Sequence, residues 1–292
     1  MPPATLPGDL QHHVADVNGI RMHYVTAGRG EPVIFVHGFP ESWYSWRHQI
    51  AALAPHYRVI APDLRGYNET ENAGPYDTGT LQDDLLALIE TTGGGPVHLV
   101  GHDWGGAIAW LVAMNRPDVL RTLTVCNLPH PVLFARGVRR PRQMLRSWYI
   151  AFFQLPWLPG RVMALRNYQL LARGIIRQCQ PGTFTREDIK TFLAGWRRQG
   201  LNGGINWYRA VVRNPQPLPN PVPRVTTPTL LLWGEDDRFL GKELTYGTDA
   251  YVDQLSTVYL PGVSHWVQQE APDEVNAALL NHLGAPVATD RA

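Results

Sequence analysis

The chain has 292 residues, 44% of them hydrophobic, with Lys+Arg 26 against Asp+Glu 25 and a net charge of +1. That is enough material for one large core or two lobes, and the charge balance removes any bulk electrostatic case for a nucleic-acid or polyanion binder. Two cysteines, Cys126 and Cys179, build neither a disulfide framework nor a zinc-ligand set; with no signal-like start and no run of about 18 apolar residues, the expectation is a soluble cytoplasmic protein without membrane insertion.

Alternating residues on either side of Asn18-Gly19 predict a hairpin, because this pair best tolerates the positive φ of a type I′ turn. Short apolar runs follow at Pro32–Val36, Arg58–Ala61 and Pro96–Val100, each closed by Gly, Pro or Asp, as in strands buried on both faces. Between them, Leu81–Thr91 and the stretch from Trp104 through Met114 have helical spacing. The alternation implies a parallel sheet with right-handed crossovers.

After Leu123–Val125 the rhythm breaks at Pro129, and strand signals return only at Thr229–Trp233. The intervening residues 131–222 hold fifteen of the 26 Lys/Arg and two acids, Glu187 and Asp188, so this segment is +13 and the remainder −12. Opposite charges predict that the two parts attract. The segment, residues 131–222, reads as a helical insertion after the sixth strand, returning through Pro215, Pro217, Pro219, Pro221 and Pro223, and the core as residues 1–130 and 223–292. A helix from about Gly241, a strand at Thr257–Leu260 and a closing helix from Asp273 complete the pattern.

Gly101-His102-Asp103-Trp104-Gly105-Gly106 sits where a strand ends and a helix begins. Small residues around a central nucleophile suit a sharp, strained strand-to-helix turn, although Asp103 in isolation reads equally as a helix N-cap. His37-Gly38-Phe39-Pro40 closes an earlier strand and reads as a proline turn or as the donor of an oxyanion-binding amide; the Phe39 and Trp104 N–H groups would then face one point. Among the acids after Trp233, Asp237 is the choice to orient His265, with Glu235 and Asp236 as solvated turn residues and Asn127 unable to stabilise an imidazolium. His265 is the base. The order nucleophile, acid, His resembles that of the α/β-hydrolase fold.

His37–Trp46 (HGFPESWYSW), GHDWGG, Asn206–Arg209 (NWYR) and Gly262–His265 (GVSH) together resemble the soluble epoxide hydrolases of that superfamily, from the hairpin to the closing helix. The resemblance implies a mostly parallel sheet flanked by helices, a cap, and two cap tyrosines that hydrogen-bond the epoxide oxygen. Tyr208 matches one of them; Tyr149, in Tyr149–Gln154, matches the other less strictly and also reads as a core aromatic. A carboxylate nucleophile suits this chemistry, since it displaces at an sp3 carbon and leaves an ester that water can hydrolyse, whereas serine would leave an ether. The implied partners are a small apolar epoxide and water, with no metal or organic cofactor; an oligomer is left open. A haloalkane dehalogenase shares the Asp-Trp pair but would leave the tyrosines idle, and a ligand-sensing receptor would have no use for an intact triad.

Overall fold

The structure, a computed structural model, describes residues 4–284, so the outermost ends of the expected core, 1–3 and 285–292, lie outside the described residues. β1 (Gln11–Val17) and β2 (Ile20–Ala27) form the hairpin, with positive φ at Asn18 (46°) and Gly19 (77°). β3 (Pro32–Val36), β4 (Arg58–Pro62), β5 (Val97–His102), β6 (Leu120–Cys126), β7 (Thr229–Gly234) and β8 (Leu255–Leu260) complete an eight-stranded sheet of order β1-β2-β4-β3-β5-β6-β7-β8. The pairs β1/β2 and β2/β4 are antiparallel and the others parallel.

All residues of β5 and β7 are buried, because apolar cores cover both faces of the sheet. Successive strand residues enter opposite cores: Ile34 and Val36 join Leu99 and Leu231 on one face, whereas Val33 and Phe35 join Val100 and Leu232 on the other. The first face is covered by α2 (Thr78–Thr91) and α3 (Trp104–Asn115), the second by α1 (Arg47–Leu53) and, after the short α11 (Val267–Glu270), by α12 (Pro272–Leu283).

One expected element is different. Instead of a helix from Gly241 there are two 3-10 turns, Lys242–Thr245 and Thr248–Ala250, separated by Gly247 at φ 87°. The Arg224 guanidinium donates to the carbonyls of Ala250 and Val252, which satisfies acceptors that a helix would have used internally.

Between β6 and β7 the chain forms seven helices: α4 (Pro131–Gly137), α5 (Pro141–Arg146), α6 (Trp148–Phe153), α7 (Leu158–Met163), α8 (Gln169–Ile176), α9 (Arg186–Gln199) and α10 (Asn202–Arg213). Residues 214–224 return without helix or sheet strand. Thr185 and Asp188 form a capping box that starts α9. Phe153, Phe192, Trp196, Ile205 and Tyr208 build a third apolar cluster, which packs onto Phe39, Tyr44 and Trp104 at the strand ends. Indole donors fix the seat: Trp196 Nε1 donates to the Pro40 carbonyl (2.6 Å) and Trp207 Nε1 to that of Arg65 (3.1 Å).

Candidate active site

Register aligns the carboxyl ends of the parallel strands. Val36 lies opposite Gly101, His102 opposite Cys126, and Gly234 opposite Leu260, so the residues that follow these strands emerge along one edge of the sheet. Phe39, Asp103, Asn127, Asp237 and His265, far apart in sequence, thereby reach each other.

Asp103 turns the chain from β5 into α3 with φ 50° and ψ −121°, a conformation that costs a non-glycine residue about 1–3 kcal/mol. It occupies the N-cap position, but its side chain makes no capping bond. Glycines make the turn feasible: a Cβ on Gly105 would stand 2.1 Å from the Val36 carbonyl oxygen, and one on Gly101 would stand 2.5 Å from that of Gly105. The Phe39 N–H donates to Asp103 Oδ1 (2.9 Å), and Oδ2 lies 3.6 Å from His265 Nε2, too far for a hydrogen bond. The Trp104 amide, at the start of α3, is not a partner of Oδ1 in this resting geometry.

His265 Nδ1 and Asp237 Oδ2 are 2.7 Å apart; the same oxygen accepts from Asn127 Nδ2 (2.7 Å), and Asp237 Oδ1 accepts from the amides of Phe239 (2.7 Å) and Leu240 (2.9 Å). Asp237 is buried, whereas Asp236 is exposed and Glu235 pairs with Lys242. Burial alone would push the His265 imidazole down, but the charges of Asp237 and Asp103 outweigh it and hold its pKa well above the usual value. Burial likewise opposes ionisation of Asp103; the adjacent His265, and to a lesser extent the Phe39 amide, bring that carboxyl below its ordinary range. Each group thereby favours the charged form of the other, and loss of the Asp103 charge would weaken the hold of His265 on its proton.

Tyr149 on α6 and Tyr208 on α10 stack edge-to-face, 5.8 Å between ring centroids, and Tyr208 stands 5.0 Å from the Trp104 ring. Burial, and then the Asp103 charge, push both phenols well above their ordinary pKa, so each keeps its proton. Two cavities meet at Asp103, Tyr149 and Tyr208. One, of about 250 Å3, is lined by Leu111, Leu128, Phe134 and Leu240; the other, of about 340 Å3, by Phe152, Phe153, Met163 and His265. Their walls are chiefly apolar, and the hydrogen-bonding groups gather where they join.

Sequence reasoning missed a supporting layer. Glu41 is buried and faces His102 Nδ1 at 2.8 Å, while His102 Nε2 donates to the backbone carbonyl of His265 (2.9 Å). Gln269 Nε2 donates to the other Glu41 oxygen (2.6 Å). Asn127, weighed only as an alternative acid, instead accepts from the Gly234 amide (2.9 Å) and donates to Asp237, tying β6 to the acid loop. Buried Tyr67 packs its ring 4.9 Å from that of His37. Of these missed residues only His102 and Asn127 stand at a strand end, where a polar group in the sequence could have signalled them. Among the described residues, no cluster of His, Cys, Asp or Glu could hold a metal ion.

A family model for the alpha/beta hydrolase fold matches residues 31–272. Epoxide hydrolase 4 of Homo sapiens is 40% identical over 282 residues, covering 91% of this chain and 76% of that protein. The AB hydrolase superfamily protein YfhM of Bacillus subtilis is 38% identical over 276 residues, covering 92% and 96%. The crystal structure of an epoxide hydrolase from Bacillus megaterium in complex with an inhibitor superposes with a TM-score of 0.86 at 30% identity, covering 93% of this chain and 100% of that one.

Proposed function

Because this chain belongs to the α/β-hydrolase fold family and, within it, to the epoxide hydrolases, we propose that it converts a mainly apolar epoxide to a vicinal diol through an ester on Asp103. The observation that carries the reading is one convergence: Asp103, its Oδ1 held by the Phe39 amide, lines both cavities together with Tyr149 and Tyr208. Residues 131–222 act as the cap that brings those phenols to the nucleophile.

In the first step Asp103 Oδ2 attacks a ring carbon and the strained C–O bond breaks. The alkoxide takes a proton from one phenol while the other donates a hydrogen bond, so charge is stabilised as it develops. Esterification removes the Asp103 charge, which is one of the causes that hold the proton on His265. The imidazolium then releases its proton, and the phenolate is restored through solvent. In the second step neutral His265, oriented by Asp237, takes a proton from water, and the resulting hydroxide attacks the ester carbonyl carbon. The oxyanion develops on Oδ1, held by the Phe39 amide and by that of Trp104. Collapse breaks the ester bond, the new carboxyl proton passes to the departing alkoxide, and the diol leaves behind an Asp103 carboxylate and a His265 imidazolium.

The test is His265→Gln exposed to a simple aryl epoxide. The variant is expected to gain the mass of one substrate on the peptide containing Asp103, while turnover falls by about 10²–10⁴ or more. Absence of that adduct refutes the mechanism. A parallel panel of epoxides, haloalkanes and p-nitrophenyl esters with the wild-type protein tests the reaction class, with turnover expected for the epoxides.

A further inference from the structure

Most of the large apolar side chains that the fold leaves in water belong to one stretch of the cap. Leu145 (78% exposed), Trp148 (64%), Trp157 (62%), Val162, Leu170 and Ile176 all lie between α5 and the end of α8. Among the described residues the core exposes only three comparable side chains. The same stretch is strongly cationic: residues 131–186 contain ten Arg and no Asp or Glu, and among the described residues only Arg146 finds an ion-pair partner, Glu243 (3.9 Å). Arg142, Arg161, Arg166, Arg173 and Arg177 are exposed and have no ion-pair partner among the described residues. The Arg161 guanidinium lies 4.8 Å over the Trp157 ring. Trp148, Val162 and Leu170 also line the 340 Å3 cavity that reaches Asp103, so part of this apolar surface is the mouth of the site.

Exposed indoles and aliphatic groups interleaved with unpaired guanidinium groups match a lipid interface, where rings enter the headgroup boundary and cations meet phosphates. Like charge opposes a second copy approaching through the same face. We propose that the α5–α8 face of the cap docks on an anionic lipid surface, with the cavity mouth turned toward the bilayer. No described helix is long and apolar enough to cross a membrane. The net charge of +1 conceals the feature because the acids are concentrated outside this segment. Entry of lipophilic epoxides from the lipid phase rests on the catalytic reading; the docking itself does not.

The experiment is co-sedimentation of the full chain with phosphatidylcholine vesicles and with phosphatidylcholine/phosphatidylglycerol vesicles, across a salt series. Binding is expected only with the anionic vesicles and weakens as salt rises. Arg142→Gln/Arg166→Gln is expected to weaken it by about fivefold per charge, about 25-fold for the pair. Leu145→Gln/Trp157→Asn should also release the protein, and Asn tolerates the left-handed backbone at position 157 (φ 46°). Both variants should hydrolyse a water-soluble epoxide at the wild-type rate without vesicles, which shows that they fold. Binding that ignores lipid charge, or lipid-free self-association that these substitutions abolish, overturns the proposal. Wild-type protein that binds anionic vesicles yet turns over no epoxide supports docking and removes the catalytic reading.

Discussion

The sheet with its flanking helices and the helical segment 131–222, the proposed cap, hold their groups at the candidate site by different physics. In the core, charged groups are fixed by directional bonds: Asp237 takes two backbone amides, Asn127 and His265, and Asp103 takes the Phe39 amide. In the cap, aromatic rings fix the phenols: Tyr208 stands among Phe39 (5.5 Å), Trp104 (5.0 Å) and Phe153 (4.9 Å), and Tyr149 stands 5.6 Å from Phe239. Directional bonds set where charge sits and how basic it is. Ring packing holds Tyr149 while leaving its hydroxyl, which has no partner among the described residues, available to a substrate.

The largest expected effect that separates the two regions is on which step fails. His265→Gln should stall after the ester forms, whereas Tyr149→Phe/Tyr208→Phe should prevent it from forming. Loss of one preorganised donor costs about 10²–10³ in rate, and the double variant should fall to background, with no adduct when combined with His265→Gln. Rapid-quench mass spectrometry distinguishes the cases; an adduct in the triple variant would assign ring opening to the core alone.

The join between the regions is next in size. Arg47 Nε of the core and Asp188 Oδ1 of the cap are 2.9 Å apart and almost fully buried, a pair with polarity opposite to the net charges of the two parts. Tyr44 also donates to Asp188 (2.9 Å), and the Arg47 guanidinium lies 5.1 Å from the Tyr44 ring. Removing one partner by Arg47→Met should cost about 3–5 kcal/mol in urea unfolding, because the other charge stays buried, and Arg47→Met/Asp188→Leu should recover much of it. If the single variant is as stable as wild type, the cap is seated by apolar packing alone.

A pH series sharpens the electrostatics of the core. His265 keeps its proton in the folded state at pH values where an unfolded imidazole has lost it. Its stabilising contribution is therefore complete below the ordinary histidine value and is lost as pH rises through the raised folded value. Thermal melts of the wild type should fall across that alkaline window, and those of Asp237→Asn should fall less. Asp103 works in the opposite sense, its contribution being lost as pH drops through its lowered value.

The smallest effect expected is that of salt on the closed cap. The opposite charges of the two parts suggest a long-range electrostatic attraction, but the contacts at the seam are mostly short bonds to backbone carbonyls and the buried Arg47–Asp188 pair. The exposed Arg198–Glu69 pair (2.6 Å) is worth at most about 1 kcal/mol, so hydrogen exchange in α9 and α10 should accelerate no more than about fivefold at high salt. A much larger acceleration would restore the long-range view.

The hairpin at Asn18-Gly19, the buried strands and the elbow at Gly101–Gly105 were legible because turn chemistry, period-two burial and close backbone approach leave local marks in a sequence. The choice of Asp237 rested on its spacing from Gly234, and the fold sets it beside His265 while Lys242 occupies Glu235. The failed helix after Gly241 and the buried Glu41 were not legible. Arg224 captures the carbonyl of Ala250, and Glu41 meets His102 and Gln269 across 61 and 228 residues.

What this sequence determined by itself was the order of the elements and the place of the candidate polar groups along them, since both are written in residue type, spacing and periodicity. Tertiary structure alone decided their charge states and their environment. The proton affinity of His265 is raised because two carboxylates from distant loops converge on it, and that of Tyr149 and Tyr208 because a helical segment buries them near Asp103. Proton affinity depends on distance and desolvation, and neither has a counterpart in the linear order of residues.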